Sequence, residues 1–332
     1  MLRIHFTADD LRRTTVAAAA DPLWEVLLSH FLLHERHPPV FLRPWLRWLR
    51  ADARRQASIR PGLKLLAGIA PQGPYFPDFL TPTDAARGIE AGLEAVRCTP
   101  AHRLRGELDT LARCARRPLP GWISAIAAGT AASMESTGTA LRAVHQFAIL
   151  PHDTLIRAAV DADLAHRARA LLAGGIDGLF DSMRPLLRWH PPVLEVRYDV
   201  DAELRLDGRG LRLAPSFFCH GSPVSLADPE LAPVLVYPIA TEHRWPAVTA
   251  SNRRQPLARL MGGTRAAVLD AIDDGTTTTE LVRALNTSPA SISRHTGVLR
   301  DAGLITTQRH GPAVLHSLTP LGTQLLDHHC VS

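Results

Sequence analysis

The sequence predicts an α+β protein, in which a mainly α-helical N-terminal domain with a small β-sheet precedes a smaller C-terminal domain of helices and one β-hairpin. Three observations support this fold class. Apolar residues recur at helical spacing over most of residues 8–189, and alternation with period two replaces that spacing between residues 193 and 239. From residue 257 onward, helical patterns lead into two short alternating runs joined at a polar tip.

These changes of pattern also indicate the domain boundaries. We expect one domain over residues 1–245, a polar and irregular linker over 246–256, and a second domain over 257–332. The chain has 332 residues, of which 46% are hydrophobic and 21% charged, so it is long and apolar enough for two cores. Disorder is therefore not its dominant feature.

Charge and cysteine content restrict the class of protein only loosely. The formal net charge of +5 permits nucleic acid as a partner but does not require it. The four cysteines are scattered singly, without the spacing of a metal site or a disulfide scaffold. The sequence shows neither a secretory signal nor a run of about 18 apolar residues. We therefore expect a cytoplasmic protein with no membrane partner.

The first predicted elements are a strand and three helices. Leu2 to Phe6 alternates as a strand does, and Thr7 with Asp10 forms a helix-capping pair. Asp21 followed by Pro22 begins the second helix. A third helix is expected from Val40 to Arg55, interrupted by Pro44, with its tryptophans more typical of a core than of a pocket.

The middle of the N-terminal domain is predicted to be helical around one loop. Residues 70–82 are rich in proline, glycine and aromatic residues, which is typical of a loop over a cavity. Thr81 and Thr99 each precede a proline and are predicted to cap the next helix. Further helices are expected over residues 121–150 and 161–189.

The strand pattern then predicts one small sheet that includes the N-terminal strand. Residues 207–210 read Asp-Gly-Arg-Gly and are interpreted as a hairpin turn between two strands. The strands are expected at 193–199, 203–206, 211–213 and 233–239.

In the C-terminal domain, the capping signals predict two short helices in succession. Thr277, Thr278 and Glu280 are suited to the start of the first helix. Ser288 followed by Pro289 begins the second, which we expect over residues 289–302 and which ends at Gly303. Ile292, Leu299 and Ala302 recur at helical spacing, so we expect them on the face of this helix that packs against the core.

The opposite face of the second helix has the chemistry of a DNA-reading surface. Its residues are small, hydroxylated or cationic, and they are Ala290, Ser291, Ser293, Arg294 and Gly297. Residues 305–318 then form a hairpin whose tip, Arg309-His310-Gly311-Pro312, carries a fixed positive charge. This order of elements predicts a winged helix-turn-helix, with the helix 289–302 in the major groove and the wing 305–318 on phosphate.

This segment resembles the ArsR-like class of winged-helix transcriptional regulators, of the actinobacterial type with a large N-terminal domain. The resemblance is carried by the run Ser293-Arg294-His295, by Val298-Leu299 and by Ala302-Gly303-Leu304-Ile305. One position departs from the family, because Thr296 stands where a buried leucine is usual. The resemblance implies a homodimer on operator DNA, with an N-terminal domain that senses a ligand, mediates dimerisation or does both. The residues expected at the DNA are Ser288, Ser291, Ser293, Arg294, His295, Arg309 and His310.

We therefore predict a sequence-specific, effector-responsive transcriptional repressor. An enzyme is not expected, because neither a Walker phosphate loop, nor a G-x-S-x-G elbow, nor a G-x-G-x-x-G fingerprint is found. No cofactor, catalytic residue or metal ligand is assigned, and a small organic effector held among N-terminal aromatic residues is the preferred ligand. Two metal hypotheses stay open, at His30 with His34 and at the cluster 327–330. The alternative function is an enzyme or small-molecule-binding protein whose winged helix serves protein contact.

Overall fold

The computed structural model describes residues 1–35, 38–39, 42–115, 118–198, 200–240, 257, 259–272, 275–285, 287–310 and 313–327. The chain divides into two compact units. The first comprises Met1–Pro39 and Pro44–Arg244, and the second comprises Val40–Arg43 and Trp245–Ser332. The predicted linker, residues 246–256, lies outside the described residues.

The α-helices up to residue 181 follow one another with few strands between them. They are α1 (Ala8–Arg13), α2 (Pro22–Leu33), α3 (Arg43–Arg50), α4 (Ala53–Ile69), α5 (Ile89–Arg97), α6 (Ala101–Cys114), α7 (Ile123–Ala127), α8 (Ala131–Val144) and α9 (Asp153–Asp181). Within α9, Gly174 and Gly175 leave helical geometry, and Gly175 takes a φ of 60° that glycine accommodates without strain. The α+β fold class with a helical N-terminal region is confirmed.

The first two helix starts are those predicted from capping residues. Asp10 N–H donates to Thr7 Oγ1 at 3.2 Å while Thr7 N–H donates to the Asp10 carboxylate at 2.7 Å. The Asp21 carboxylate accepts from the N–H groups of Leu23 and Trp24, with Pro22 at the first helical position. Both caps satisfy amides that a helix start would otherwise leave without partners.

Three predictions about helix boundaries were wrong. Thr81 was expected to cap the next helix, but its hydroxyl donates back to Asp78 O at 3.4 Å, and the helical turn Thr83–Arg87 has no side-chain cap. The helix expected over residues 40–55 is interrupted at Asp52 and not at Pro44, which lies in the first turn of α3. The Asp52 carboxylate accepts from Arg54 N–H and begins α4 as a separate helix. Thr99 was expected to cap the helix after it. Its hydroxyl instead donates back to Ala95 O at 3.1 Å, so this side chain belongs to the end of α5.

The described residues of the first unit form two four-stranded sheets, so the prediction of one sheet was wrong. Their strands are β1 (Leu2–His5), β2 (Thr15–Val16), β3 (Leu187–His190), β4 (Val193–Val196), β5 (Ala202–Arg205), β6 (Arg212–Ser216), β7 (Val224–Ser225) and β8 (Val234–Pro238). One sheet has the order β3-β4-β1-β5, with β1 antiparallel to β4 and parallel to β5. The other has the order β2-β6-β8-β7. One apolar core includes residues from both sheets.

The predicted hairpin turn at residues 207–210 was also wrong, because β5 and β6 belong to different sheets. Contacts with α1 explain the path of the chain here. Gly210 N–H donates to the Asp10 carboxylate at 2.9 Å, and Arg13 Nη1 donates to Gly208 O at 2.7 Å. These long-range bonds direct the chain from one sheet to the other instead of back along β5.

The helical segment expected up to residue 189 ends at Asp181, and Trp189 lies in β3. The indole of Trp189 packs against Phe6 and Phe180, with ring centroids 5.3 and 5.1 Å away. Its Nε1 donates to the Asp177 carboxylate at 2.6 Å. Burial of this aromatic cluster therefore outweighs the helical pattern at the end of α9.

The second unit contains the predicted helices and hairpin. Its elements are α10 (Gly263–Ala271), β9 (Thr276–Thr277), α11 (Thr278–Leu285), α12 (Pro289–Asp301), β10 (Ile305–His310), β11 (Ala313–Leu318) and α13 (Pro320–Asp327). Residues 257 and 259–261 are also helical. The strand β9 was not predicted; it pairs with β11 and makes the wing three-stranded. The core contains Leu269, Leu281, Ile292 and Leu299.

Candidate nucleic-acid interface

The start of α11 is fixed by a reciprocal cap. Thr277 N–H donates to the Glu280 carboxylate at 2.7 Å, and Glu280 N–H donates to Thr277 Oγ1 at 3.2 Å. Because Thr277 also belongs to β9, this capping box holds the helix start on the three-stranded sheet. Leu281 then buries its side chain completely, which fixes the face of α11 that meets the core.

The start of α12 is fixed in the way the sequence predicts. Ser288 Oγ accepts from Ser291 N–H at 3.2 Å, and Pro289 occupies the first helical position. Ile292 and Leu299 are buried on the face of the helix that packs against the core. The C-terminal end is marked by Gly303, whose φ of 70° lies in the left-handed region.

The predicted DNA-facing residues lie together in the first half of α12. Ser288, Ser293 and Arg294 are exposed, whereas Ser291 and His295 are half-buried. Arg294 has no ion pair with any other described residue, so its charge is free for a ligand. By contrast, Arg300 at the far end of the helix pairs with Asp301, with 2.9 Å between Nη2 and Oδ1.

The prediction that Ala302 belongs to the core was wrong. Ala302 was expected to be buried but is exposed, because the helix ends at Asp301 and the chain turns at Gly303. The apolar role passes to Leu304 and Ile305, which are both buried.

Thr296, the position at which the chain departs from the ArsR-like pattern, is buried with 5% of its surface exposed. Its hydroxyl donates to Ile292 O at 3.0 Å within the helix. The polar atom is therefore satisfied by the helix backbone, and the departure introduces no unpaired group into the core. It leaves the exposed face of α12 unchanged.

The wing is an antiparallel hairpin whose register pairs Arg309 with Val314 and His310 with Ala313. Arg309 is exposed near the end of β10. The backbone of His310 ends that strand, but its side chain, like residues 311–312 at the tip, lies outside what the structure describes. Of the two wing residues predicted to reach phosphate, the structure thus places only the Arg309 side chain.

His316 is a residue of this unit that the sequence did not reveal. It is 3% exposed, and its imidazole joins two elements: Nε2 lies 3.0 Å from Thr278 Oγ1 in α11, and Nδ1 lies 3.0 Å from Thr307 Oγ1 in β10. Burial lowers the pKa of His316, which favours the neutral ring. The wing is thereby connected to the helix-turn-helix by side-chain hydrogen bonds, and no local pattern in the strand sequence distinguishes this histidine from an exposed one.

Arg43 belongs to the second unit, and its guanidinium makes structural hydrogen bonds. Its Nη1 donates to Ala271 O at 2.8 Å and to Thr276 Oγ1 at 3.2 Å. These bonds join Arg43 to the end of α10 and to β9. The structural use of this guanidinium makes it a poor candidate for a DNA contact.

The histidines considered as metal ligands are placed in the first unit. His30 is 2% exposed, its Nδ1 has no hydrogen-bond partner among the described residues, and its ring centroid lies 4.6 Å from that of His34. Burial and the nearby His34 lower the pKa of His30 to about 4. Across the described ranges, no group of three or more His, Cys, Asp or Glu side chains is arranged to hold a metal ion. Residues 328–330 and the side chain of Asp327 lie outside the described part of the chain.

The loop that the sequence predicts to cover a cavity does line one. Gln72, Gly73, Pro74 and Phe76 border a cavity of about 500 Å³ in the first unit. Further aromatic side chains from Phe31, Tyr198 and Phe218 face the same space. The mixture of aromatic walls and a few polar groups is that of a small-molecule pocket.

A model of the family described as "Helix-turn-helix domain" matches residues 260–308. Comparison with curated proteins and with solved structures finds no match. The matched segment runs from before α10 to Gln308 in β10 and includes the whole of α11 and α12. Among the described residues, no helix combines the length and apolar character needed to cross a lipid bilayer. The chain carries a C-terminal helix-turn-helix domain, a domain type that indicates DNA binding and transcription regulation.

Proposed function

We propose that this protein is a sequence-specific transcriptional regulator of the ArsR-like type, which binds double-stranded operator DNA as a homodimer. The observation that carries the proposal is the surface of α12. The cap residue Ser288 and, in the first half of the helix, Ser293 and Arg294 are exposed, while Ile292 anchors the opposite face in the core. A rigid helix with small, hydroxylated and cationic residues on its outer face suits entry into the major groove.

Within this proposal, the residues divide into two kinds of contact. Arg294 reads a base edge, for which a guanidinium paired with guanine is the commonest arrangement, and Ser291, Ser293 and His295 border it. Ser288 and the wing residues Arg309 and His310 contact the phosphate backbone and fix the orientation of the domain. Both kinds of contact use groups that α12 and β10 hold on regular secondary structure.

A homodimer is supported by exposed apolar residues in the second unit. Leu260 is 74% exposed and Leu321 is 55% exposed, although both lie in or beside helices that pack on the core. A second copy of the chain would remove such side chains from water. Two recognition helices related by a twofold axis then require palindromic half-sites about one helical turn apart.

The first unit acts in this proposal as the sensor of a small organic effector, and the regulator is a repressor released by that effector. The aromatic cavity of about 500 Å³ supports a sensory role. Effector binding and DNA binding are coupled, so an effector that weakens DNA binding must itself bind more weakly to the DNA complex. No catalytic role is proposed for either unit.

Fluorescence anisotropy tests the proposal with a labelled duplex from the promoter region of the protein's own gene and a scrambled duplex of equal length. We expect tighter binding to the promoter duplex and a steep loss of affinity as salt increases, because phosphate contacts release counterions. Equal, weak binding to both duplexes at low salt would contradict a sequence-specific regulator. Analytical ultracentrifugation of the DNA-free protein measures its mass in solution and tests the dimer. The mass of a monomer at micromolar concentration would contradict the proposed homodimer.

A further inference from the structure

A second cavity in the first unit has a basic lining. It measures about 420 Å³ and lies between the end of α9 and the residues that follow β8. Four basic side chains border it, namely His166, Arg167, Arg184 and His220. No Asp or Glu is among its described lining residues. A cavity of this composition attracts an anion rather than a cation.

Arg167 gives the cavity a buried positive group. Its side chain is 7% exposed, and its Nη2 lies 2.9 Å from the fully buried Asp163 carboxylate. Arg167 Nη1 donates to the carbonyl and hydroxyl oxygens of Ser182. Nε and Nη2 both donate to the Asp163 carboxylate, so Asp163 and Ser182 together engage four of the five guanidinium hydrogens. A carboxylate in the cavity would meet the fifth.

A buried tyrosine packs beside this ion pair. Tyr237 is 1% exposed, and burial together with the Asp163 carboxylate raises its pKa, so its hydroxyl stays protonated. The guanidinium carbon of Arg167 lies 5.9 Å from the centroid of the Tyr237 ring. Tyr237 does not line the cavity, but it packs against the guanidinium that does, and so helps to fix the position of Arg167.

The basic cavity adjoins the aromatic cavity described above. His220 and Gly221 line both of them. Arg184, on the rim of the basic cavity, has a side chain that is 59% exposed and paired with Asp181. A ligand with an anionic head and an apolar ring would thus find a complementary surface on each side of His220.

We propose that the two cavities form one binding site for an aromatic carboxylate, with the carboxylate at Arg167 and Arg184 and the ring among Phe31, Phe76 and Phe218. The position of the site suggests how such a ligand acts. Asp163 Oδ1 also accepts from Ala240 N–H at 3.2 Å. Ala240 lines the basic cavity and precedes the segment that leads to the second unit. A carboxylate competes with Asp163 for Arg167 and thereby alters how Ala240 is held.

Isothermal titration calorimetry on the full chain without DNA tests the site. The probes are 2-naphthoate and benzoate, the uncharged 2-naphthamide, and inorganic phosphate. We expect 2-naphthoate to bind most tightly and 2-naphthamide to bind at least about tenfold more weakly, because it lacks the charge. Equal affinity for 2-naphthoate and 2-naphthamide would overturn the proposed anion site. Phosphate binding as tight as that of 2-naphthoate would overturn the proposed contact between the ligand ring and the aromatic cavity. No heat of binding with any probe would overturn the site as a whole.

Two exposed arginines provide a matched pair of variants. Arg184→Gln should weaken naphthoate binding about fivefold or more, and Arg184→Lys should restore most of it. Arg169→Gln removes an exposed charge from the same helix as Arg167 without touching the cavity lining, and should leave the affinity unchanged. An Arg184→Gln variant that binds naphthoate as tightly as the wild type would overturn the assigned position of the carboxylate.

Only the coupling to DNA rests on the proposed function, because the calorimetry contains no DNA. If naphthoate binds but the protein shows no selective DNA binding, the ligand site is supported and the proposed function as a regulator is contradicted. If the protein binds its promoter duplex selectively but no carboxylate binds, the proposed function is supported and the ligand site is contradicted. If both bind, saturating naphthoate should change the DNA affinity at least about threefold, and an unchanged affinity would overturn the coupling through Asp163 and Ala240.

Discussion

The carboxylate of Glu25 accepts from the backbone N–H of Phe217 at 2.7 Å and, with its other oxygen, from that of Phe218 at 2.9 Å. Glu25 lies in α2 and is 2% exposed, whereas the two phenylalanines follow β6. The carboxylate thus satisfies two buried amides nearly 200 positions further along the chain. Asp78 has a similar role, because it accepts from the N–H groups of Ala227 and Asp228.

Replacing Glu25 by alanine should therefore destabilise the protein strongly. Two buried N–H groups would lose their acceptor, and each such group costs about 1–3 kcal/mol. We expect the free energy of unfolding of the first unit to fall by about 3–5 kcal/mol, measured by chemical denaturation. Glu94→Ala removes an exposed carboxylate paired with Arg97 and should leave the free energy of unfolding nearly unchanged. A loss for Glu25→Ala as small as that of the control would contradict this role.

Asp21 predicts a specific effect of pH on stability. Burial raises the pKa of Asp21 from its ordinary value of 3.8 to about 6, despite the backbone N–H groups of Trp24 and Leu23. The folded state therefore binds a proton at this group between about pH 6 and 3.8, where the unfolded state does not. The contribution of Asp21 to stability accordingly rises as the pH falls through this range, and ionisation above pH 6 makes it unfavourable by up to about 3 kcal/mol.

The variant Asp21→Asn isolates this effect, because asparagine also caps helices but carries no charge. We expect the variant to gain stability relative to the wild type as the pH rises from 4 to 7.5, by up to about 3 kcal/mol. Wild-type data alone would not show the effect, because two histidines act in the opposite direction. Burial lowers the pKa of His30 and His152 to about 4, so these groups make the folded state less stable as the pH falls through the same range. Denaturant unfolding of both proteins at several pH values measures the difference. A difference that does not vary with pH would contradict the raised pKa.

Local signals in the sequence were sufficient for much of the fold. The caps at Thr7, Asp21 and Ser288 were predicted correctly because each depends on residues within three positions of the helix start. The sequence predicted that β1 shares a sheet with the strands after residue 193, but not the strand order or the division into two sheets, because these partners lie about 200 residues away. The strand β9 was missed because it has only two residues. The turn at 207–210 shows the same limit, since contacts with Asp10 and Arg13 in α1 determine its course.

The candidate site was predictable to a similar degree. The exposed half of α12 follows from helical periodicity, so Ser293 and Arg294 lie on the face expected for them. His316 was missed because its neighbours come from α11 and β10, which are brought to it only by the tertiary fold. The basic cavity was missed for the same reason, since Arg167 and His220 come from a helix and a loop far apart in the chain.

Arg294→Ala should weaken binding to the promoter duplex and reduce discrimination against the scrambled duplex. A contact between arginine and a base edge contributes about 1–3 kcal/mol, so we expect a loss of roughly 5- to 150-fold in affinity. The side chain is exposed, so thermal unfolding should be unchanged. Arg205→Ala, at an exposed position of β5 in the first unit, is the matched control for loss of one charge. An affinity equal to that of this control would contradict the face assigned to α12.

Arg309→Ala should have a different effect, because a phosphate contact carries no sequence information. We expect both duplexes to lose affinity by a similar factor and the slope of log affinity against log salt to become shallower by about 1, since one fewer counterion is released. Anisotropy titrations at four salt concentrations measure both quantities on the same samples used for Arg294→Ala. The two variants then separate the contributions of α12 and the wing. A loss confined to the promoter duplex, with an unchanged salt slope, would mean that Arg309 reads a base edge and that the wing does more than hold the backbone.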